Sequence, residues 1–230
     1  GKQQRGEKLT STAVILQLAY LGFTALFWWR LPDNTARVFE RNSLFFFFVI
    51  AQSNGVDVNA VSVFGRERTL LYRERPKKMY GVGAYFLAKT ISDMSNNVLL
   101  PVAYVMIAYW TANFRSGIVP YLQFVLTMYM TISTAQSMGL FLSICVLGST
   151  QRALVLAPPI TLFFMIMGGR YIPLQIIHPG IKLVSWGSFA RYGYTALLIN
   201  EYEERDVACA TGEVPIQIGD ADVCPLPGED

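Results

Sequence analysis

GRERTLLYRERPKKMYGVGAYFLAK, residues Gly65–Lys89, separates two long apolar runs and decides how the rest of the chain is read. Arg66, Arg68, Arg73, Arg75, Lys77, Lys78 and Lys89 stand in it against Glu67 and Glu74, so 7 of the chain's 19 basic residues lie here. Short loops rich in Lys and Arg stay on the cytoplasmic face when the flanking apolar segments insert into a bilayer. The elbow is therefore expected in the cytosol, and it orients the segments on either side. Two partners suit so basic a surface: anionic lipid headgroups, or a cytosolic protein that docks on it.

Upstream, residues 43–64 open with Leu44, Phe45, Phe46, Phe47 and Phe48 and turn polar at Gln52, Asn54, Asp57 and Asn59. An ionised carboxylate at mid-depth costs roughly 2.5–3.5 kcal/mol on insertion scales, so this polar set is expected to face protein or water. Gln52, Gly55 and Asn59 share one helical face by their spacing. That face is read as a helix contact or as a translocation surface, with Gly55 leaving room for a neighbour or a ligand. Residues 9–29 form an earlier span, entered behind Lys2, Arg5 and Lys8 and closed by the interfacial anchor Trp28-Trp29. The turn-rich connection at 30–42 is expected outside.

Downstream, residues 90–112 read as a third span, with Asp93, Asn96 and Asn97 in its cytosolic half and Pro101 at its middle. A fourth span, 118–148, is studded with Thr127, Thr131, Ser133, Thr134, Ser137 and Ser143, a composition suited to close packing inside a bundle. The fifth, 153–168, carries Pro158 and Pro159, which remove two backbone donors and are expected to bend or break the helix. Broken helices inside membranes usually line a cavity. Residues 171–202 are punctuated by Pro173, His178-Pro179-Gly180, Lys182 and Arg191, which favours an interfacial or re-entrant helix.

Composition agrees with that count. The 230 residues have a mean hydropathy of +0.35, with 53% hydrophobic and 15% charged side chains, which excludes an ordinary soluble domain. The expected fold is an all-α, polytopic membrane bundle of five transmembrane helices plus a re-entrant helix, forming one membrane domain over residues 1–230. The net charge of +3 hides an asymmetry, because residues 201–230 hold nine acidic side chains and one basic one, Arg205. An external segment at 169–230 puts that acidic stretch opposite the elbow. Cys209 and Cys224 fall there, where an oxidising exterior permits a disulfide, free thiols being the alternative. Cys145, inside the fourth span, reads as a small buried residue. No cleavable signal peptide is evident, and the start without Met suggests a piece of a longer chain.

Motifs for catalysis are missing. Gly81-Val82-Gly83 followed by Lys89-Thr90 lacks the spacing of a phosphate loop; the single histidine precludes a two-histidine zinc site, and as His178 of a Pro-Gly turn it reads as a turn residue rather than a member of a Ser-His-Asp set. Asp57 and Asp93 could form an intramembrane carboxylate pair for hydrolysis or proton relay. Packing, ion pairing or cavity lining are the plainer readings, since Asp93 lies where water or elbow arginines reach it. Nucleic acid is not an expected partner.

Three stretches together carry a family likeness: RERTLLYRERPKKMYGVGAYFLAKTISD after the second span, GGRYIP after the fifth, and ARYGYTALLINEY before the cysteines. In this order they resemble the membrane domain of subfamily G ABC transporters, the White-pigment, sterol and multidrug half-transporter group. The resemblance implies an exporter of amphipathic, lipid-like or xenobiotic molecules, a multi-pass protein of the plasma membrane with membrane lipids among its partners. Two such halves would pair as a homo- or heterodimer, each fused to a nucleotide-binding domain that handles ATP and Mg, with no cofactor in this stretch. The elbow residues Arg66, Glu67, Arg68, Arg73 and Arg75 would couple to that domain. Substrate would lie against Phe48, Gln52, Gly55, Leu162 and Met165. Arg170 and Tyr171 stand where other members close the exit with leucines, and Gly55 stands where multidrug members have a bulky aromatic. The resemblance also implies a Cys209–Cys224 disulfide, and a sixth span after Asp230. The rival reading is a passive channel or membrane receptor whose acidic external loop binds a ligand.

Overall fold

The computed structural model describes residues 2–31, 38–74, 81–93, 98–146, 150–167, 185–203, 216–218 and 221–223. Seven helices occur among them: α1 (Lys2–Phe27), α2 (Val38–Glu74), α3 (Val82–Asp93), α4 (Leu99–Thr111), α5 (Ile118–Cys145), α6 (Thr150–Ile166) and α7 (Phe189–Tyr202). The departure from an all-α chain is an antiparallel hairpin of β1 (Ile216–Ile218) and β2 (Ala221–Val223), with Ile216 opposite Val223.

Two helical stretches, Val38–Gly65 in α2 and Ile118–Cys145 in α5, are long and apolar enough to cross a membrane. Each has 28 residues, which at 1.5 Å per residue is about 42 Å against a hydrocarbon core of about 30 Å. The shorter apolar stretches Ser11–Phe27, Leu99–Thr111 and Gln151–Ile166 fall where the other spans are expected.

Helix α2 is the centre of the bundle, packed on α5, α6 and α7, while α1 lies on α4. Its buried positions, among them Phe45, Phe48, Val49, Ser53, Val56, Asp57, Ala60 and Val61, spread over several faces because neighbours surround it. Near its outer end an aromatic core forms. Phe45 stacks on Phe114 at 4.8 Å between ring centroids, and Phe48 meets Tyr104 at 5.8 Å and Phe124 at 6.1 Å edge-on. Tilted or edge-on aromatic pairs add about 0.5–1.5 kcal/mol each beyond the area they bury.

Two glycines set how closely the helices approach. A Cβ on Gly139 of α5 would lie 2.6 Å from the Asp57 backbone oxygen of α2, and one on Gly193 of α7 would lie 2.4 Å from the Thr131 hydroxyl. Small residues at helix interfaces allow this contact in lipid, where burial of apolar surface gives no drive between helices. Helix α7 adds the i, i+3, i+4 stripe Ala190, Gly193, Tyr194, Leu197 and Glu201. Its N-cap Ser188 accepts from the Arg191 amide and donates to the Phe164 carbonyl of α6 at 2.6 Å.

Several expectations are altered. The membrane-crossing stretch of α2 ends at Gly65, next to the expected end at 64, but the helix itself runs on to Glu74, because Arg, Glu and Leu are good helix formers and no proline intervenes before Pro76. The third span divides into α3 and α4, and Pro101 sits in the first turn of α4, where its missing donor removes no intrahelical bond. Pro158 and Pro159 do not break α6, which is helical on both sides of them. Ala153 and Ala157, just before the pair, cluster with Val61 of α2 and Leu142 of α5. Most α5 hydroxyls bond their own helix, as Thr134 does to the Met130 carbonyl and Ser137 to that of Ser133, while Thr131 and Ser143 are buried. Cys145 is an exposed free thiol at the end of α5 rather than a buried residue.

Gly139→Ala is expected to lower the unfolding free energy by about 1–3 kcal/mol through overpacking, whereas Gly22→Ala, with open space at its Cβ, should be neutral or better. Thermal unfolding of the two purified variants in one detergent checks the contrast.

Candidate functional site

Polar side chains occupy three levels along α2. At the outer level Arg41, almost fully buried, forms an ion pair with the equally buried Glu201 of α7. Arg41 Nη2 also donates to the Leu31 carbonyl at 3.3 Å, and its guanidinium lies 5.9 Å from the Phe114 ring centroid. The second Glu201 oxygen accepts from the Arg115 amide at 3.1 Å, and Tyr109 donates its hydroxyl to the Arg115 carbonyl at 2.5 Å. Asn200 Nδ2 donates to the Pro120 carbonyl at 3.0 Å, and the Tyr202 hydroxyl lies 2.8 Å from Asn42 Oδ1. One cluster thus ties together the outer ends of α2, α5 and α7 with the segments after α1 and α4.

At mid-depth the two sides of α2 differ. On the side of α5 and α6, Asp57 is fully buried, accepts from the Thr161 hydroxyl at 2.7 Å and lies against Gly139. Thr161 is also 3.0 Å from the Ala157 carbonyl of its own helix. On the other side, a cavity of about 410 Å³ lies between α1, α2 and α4, and its lining includes Gln17, Tyr20, Gln52, Gly55, Asn59 and Pro101. Gln17 Nε2 donates to Gln52 Oε1 at 3.0 Å across it. The inner level is the helical extension carrying Arg66, Glu67, Arg68 and Arg73.

The residues expected to hold substrate are therefore distributed. Gln52 and Gly55 share the cavity with Asn59. Phe48 is enclosed in the aromatic core, Met165 is 1% exposed in the same core, and Leu162 is 45% exposed on α6. Arg75, Arg170, Tyr171, His178, Cys209 and Cys224 lie outside the described residues. Asp57 and Asp93 belong to α2 and α3, and Asp57 is bonded to Thr161. Among the described residues no group of His, Cys, Asp and Glu could hold a metal. Lys89 comes eight residues after Gly81 and well inside α3, about 12 Å along the helix, which does not fit a lysine cradling phosphates beside that glycine.

The family description of the ABC-2 type transporter matches residues 2–202. The chain belongs to the ABC-2 type transporter family. ABC transporter G family member 14 of Arabidopsis thaliana is 31% identical over 208 residues, which covers 87% of this chain and 31% of the relative. Protein white of Drosophila melanogaster is 25% identical over 205 residues, 88% of this chain and 28% of the relative. The ABC transporter ATP-binding protein/permease wht-1 of Caenorhabditis elegans is 26% identical over 190 residues, 82% of this chain and 28% of the relative. This ABC-2 domain is thus a membrane domain of subfamily G type, and it spans under a third of the length of these relatives.

Sequence reading overlooked the outer cluster of this ABC-2 domain. Arg41 and Glu201 each stand at the end of an apolar run and look like ordinary interfacial charges, and nothing local pairs residues 160 positions apart. Thr161, Gly139 and Gly193 were equally silent, since one hydroxyl or glycine within a span gives no partner. Replacing one member of a buried ion pair leaves the other charge uncompensated and costs about 3–5 kcal/mol. Arg41→Met or Glu201→Gln alone should therefore destabilise strongly, and the double variant should lose less than the two single losses added. A double-mutant cycle of unfolding free energies in detergent measures the coupling.

Proposed function

We propose that this ABC-2 domain is the membrane half of an ATP-driven exporter that moves amphipathic, lipid-like or xenobiotic molecules out through the plasma membrane. The observation that supports this best is the continuity of α2. A single 37-residue helix carries the cavity face at Gln52 and Gly55 and, below it, the arginine-rich extension at 66–74. A straight helix transmits displacement along its length, so a push on its inner end reaches the cavity without a hinge between them.

In this reading a nucleotide-binding domain of the same polypeptide supplies ATP hydrolysis with Mg²⁺, and the present residues contribute no phosphate site. Its motion is received by Arg66, Glu67, Arg68, Arg73 and Arg75. The displaced α2 carries Phe48, Gln52 and Gly55 relative to α6, whose Leu162 and Met165 complete the substrate path in the assembled transporter. Two copies, or this chain and a related one, enclose that path. Arg170 and Tyr171 form the outer gate, and a Cys209–Cys224 disulfide braces the external segment. The Arg41–Glu201 cluster gives the moving helices a fixed outer end. The exposed apolar side chains Val155, Leu156, Leu162, Phe163 and Ile166 of α6 suit either lipid or a second half as their covering.

Gly65→Pro tests the lever. It removes the bond from position 65 to the Val61 carbonyl and kinks a helix interior at a cost of about 3 kcal/mol. In the full-length transporter reconstituted in vesicles, Gly65→Pro should keep basal ATP hydrolysis and lose both substrate-stimulated hydrolysis and transport, while Gly65→Ala keeps all three. Transport by Gly65→Pro at the rate of the unaltered protein would sink the coupling role of α2.

A further inference from the structure

The α1–α2–α4 cavity has a composition that limits what it can take. Its polar lining consists of Thr12, Gln17, Tyr20, Gln52 and Asn59, and among the described residues no carboxylate, ammonium or guanidinium lines it. The remainder is apolar, with Leu16, Val56, Val63, Leu100 and Pro101 among the walls. Gln17 lies eleven residues from Trp28, and Gln52 eleven from Arg41, about 16 Å along each helix at 1.5 Å per residue. Both amides are therefore near the middle of the bilayer, where an ionised guest would meet no countercharge.

The two amides are joined by one bond where their groups allow two. Gln17 Nε2 donates to Gln52 Oε1, while Gln52 Nε2 and Gln17 Oε1 are buried without a partner. Gln52 itself is 1% exposed. Turning both amides over would exchange donor and acceptor between the residues and still leave one of each. Buried polar atoms are nearly always hydrogen-bonded, and leaving them otherwise is unfavourable. A guest that offers one acceptor and one donor, as a primary amide or a hydroxyl does, satisfies both. A carboxylate brings no donor and an ammonium no acceptor. Gly55 borders the same space, and a Cβ built on it meets nothing within 4 Å.

We propose that Gln17 and Gln52 together form the polar end of an intramembrane site that selects uncharged amphipathic molecules bearing a paired donor and acceptor, and rejects ionised ones of the same shape. The inference deepens the exporter reading by naming the chemistry of its cargo. Gln17, on α1, is a specificity-determining residue beside Gln52.

Equilibrium binding to the full-length transporter in phosphatidylcholine nanodiscs, without nucleotide, tests it with radiolabelled decanamide, decanoate and decylamine. Decanamide should bind about tenfold more tightly than either ion, the discrimination expected of one unmatched hydrogen bond. Gln17→Leu and Gln52→Leu should each remove that preference, and the double variant should lose no more than one of them. Gly55→Leu fills open space, so it should fold and weaken decanamide binding even if a glutamine variant does not fold. Equal binding of all three probes, or unchanged decanamide binding by Gly55→Leu, would overturn the proposal. Selective binding without ATP-dependent transport would leave this site standing and remove the exporter reading; transport with no amide preference would do the reverse.

Discussion

A helix that takes an arginine, two amides, a serine and a carboxylate along its length cannot turn any of those groups to lipid without a large loss. Helix α2 does so with Arg41, Gln52, Ser53, Asn54 and Asp57, of which all but Asn54 are buried. The rest of the domain is arranged to receive them. Glu201 neutralises Arg41, Thr161 bonds Asp57 and Gln17 bonds Gln52. Each partner comes from a different helix, so satisfying α2 fixes the positions of α7, α6 and α1 around it.

The three levels differ in stiffness, and the difference has a mechanical sense. At the outer level a buried ion pair, several backbone acceptors and an aromatic core hold one arrangement, because separating any member strands a charge or a buried polar group. At mid-depth, contact with α5 is as close as glycine permits at Gly139, yet the facing side with α1 is joined by one amide bond over a cavity. The outer end of α2 is thus held by more polar bonds than the side that faces α1 across the cavity.

The broad plan was legible in residues that act locally. The elbow's Arg and Lys density fixed an expected side of the membrane, and the apolar runs marked the places of α1, α2, α4, α5 and α6. The spacing of Gln52, Gly55 and Asn59 put them on one face, and all three line the same cavity. Helix ends were less legible. The second span ends close to its expected limit, but only the structure shows that the Arg-Glu-Leu run after Gly65 continues the same helix to Glu74. Pro158 and Pro159 read as a break, but α6 stays helical through them, with Ala153 and Ala157 clustered with Val61 of α2 and Leu142 of α5.

Sequence alone determined that this chain belongs in a bilayer and that its second span must hide polar groups, and it gave an expected side for the basic elbow, because hydropathy, charge and helical spacing are properties of short stretches. Tertiary structure decided which groups hide which. Arg41 meets Glu201, Asp57 meets Thr161 and Gly139, and Gln52 meets Gln17. It also separated Phe48 into the aromatic core from Gln52 and Gly55 in the cavity, one and two helical turns away. Such pairings depend on the rotation and approach of whole helices, which side-chain volumes across several spans set together and no single stretch encodes.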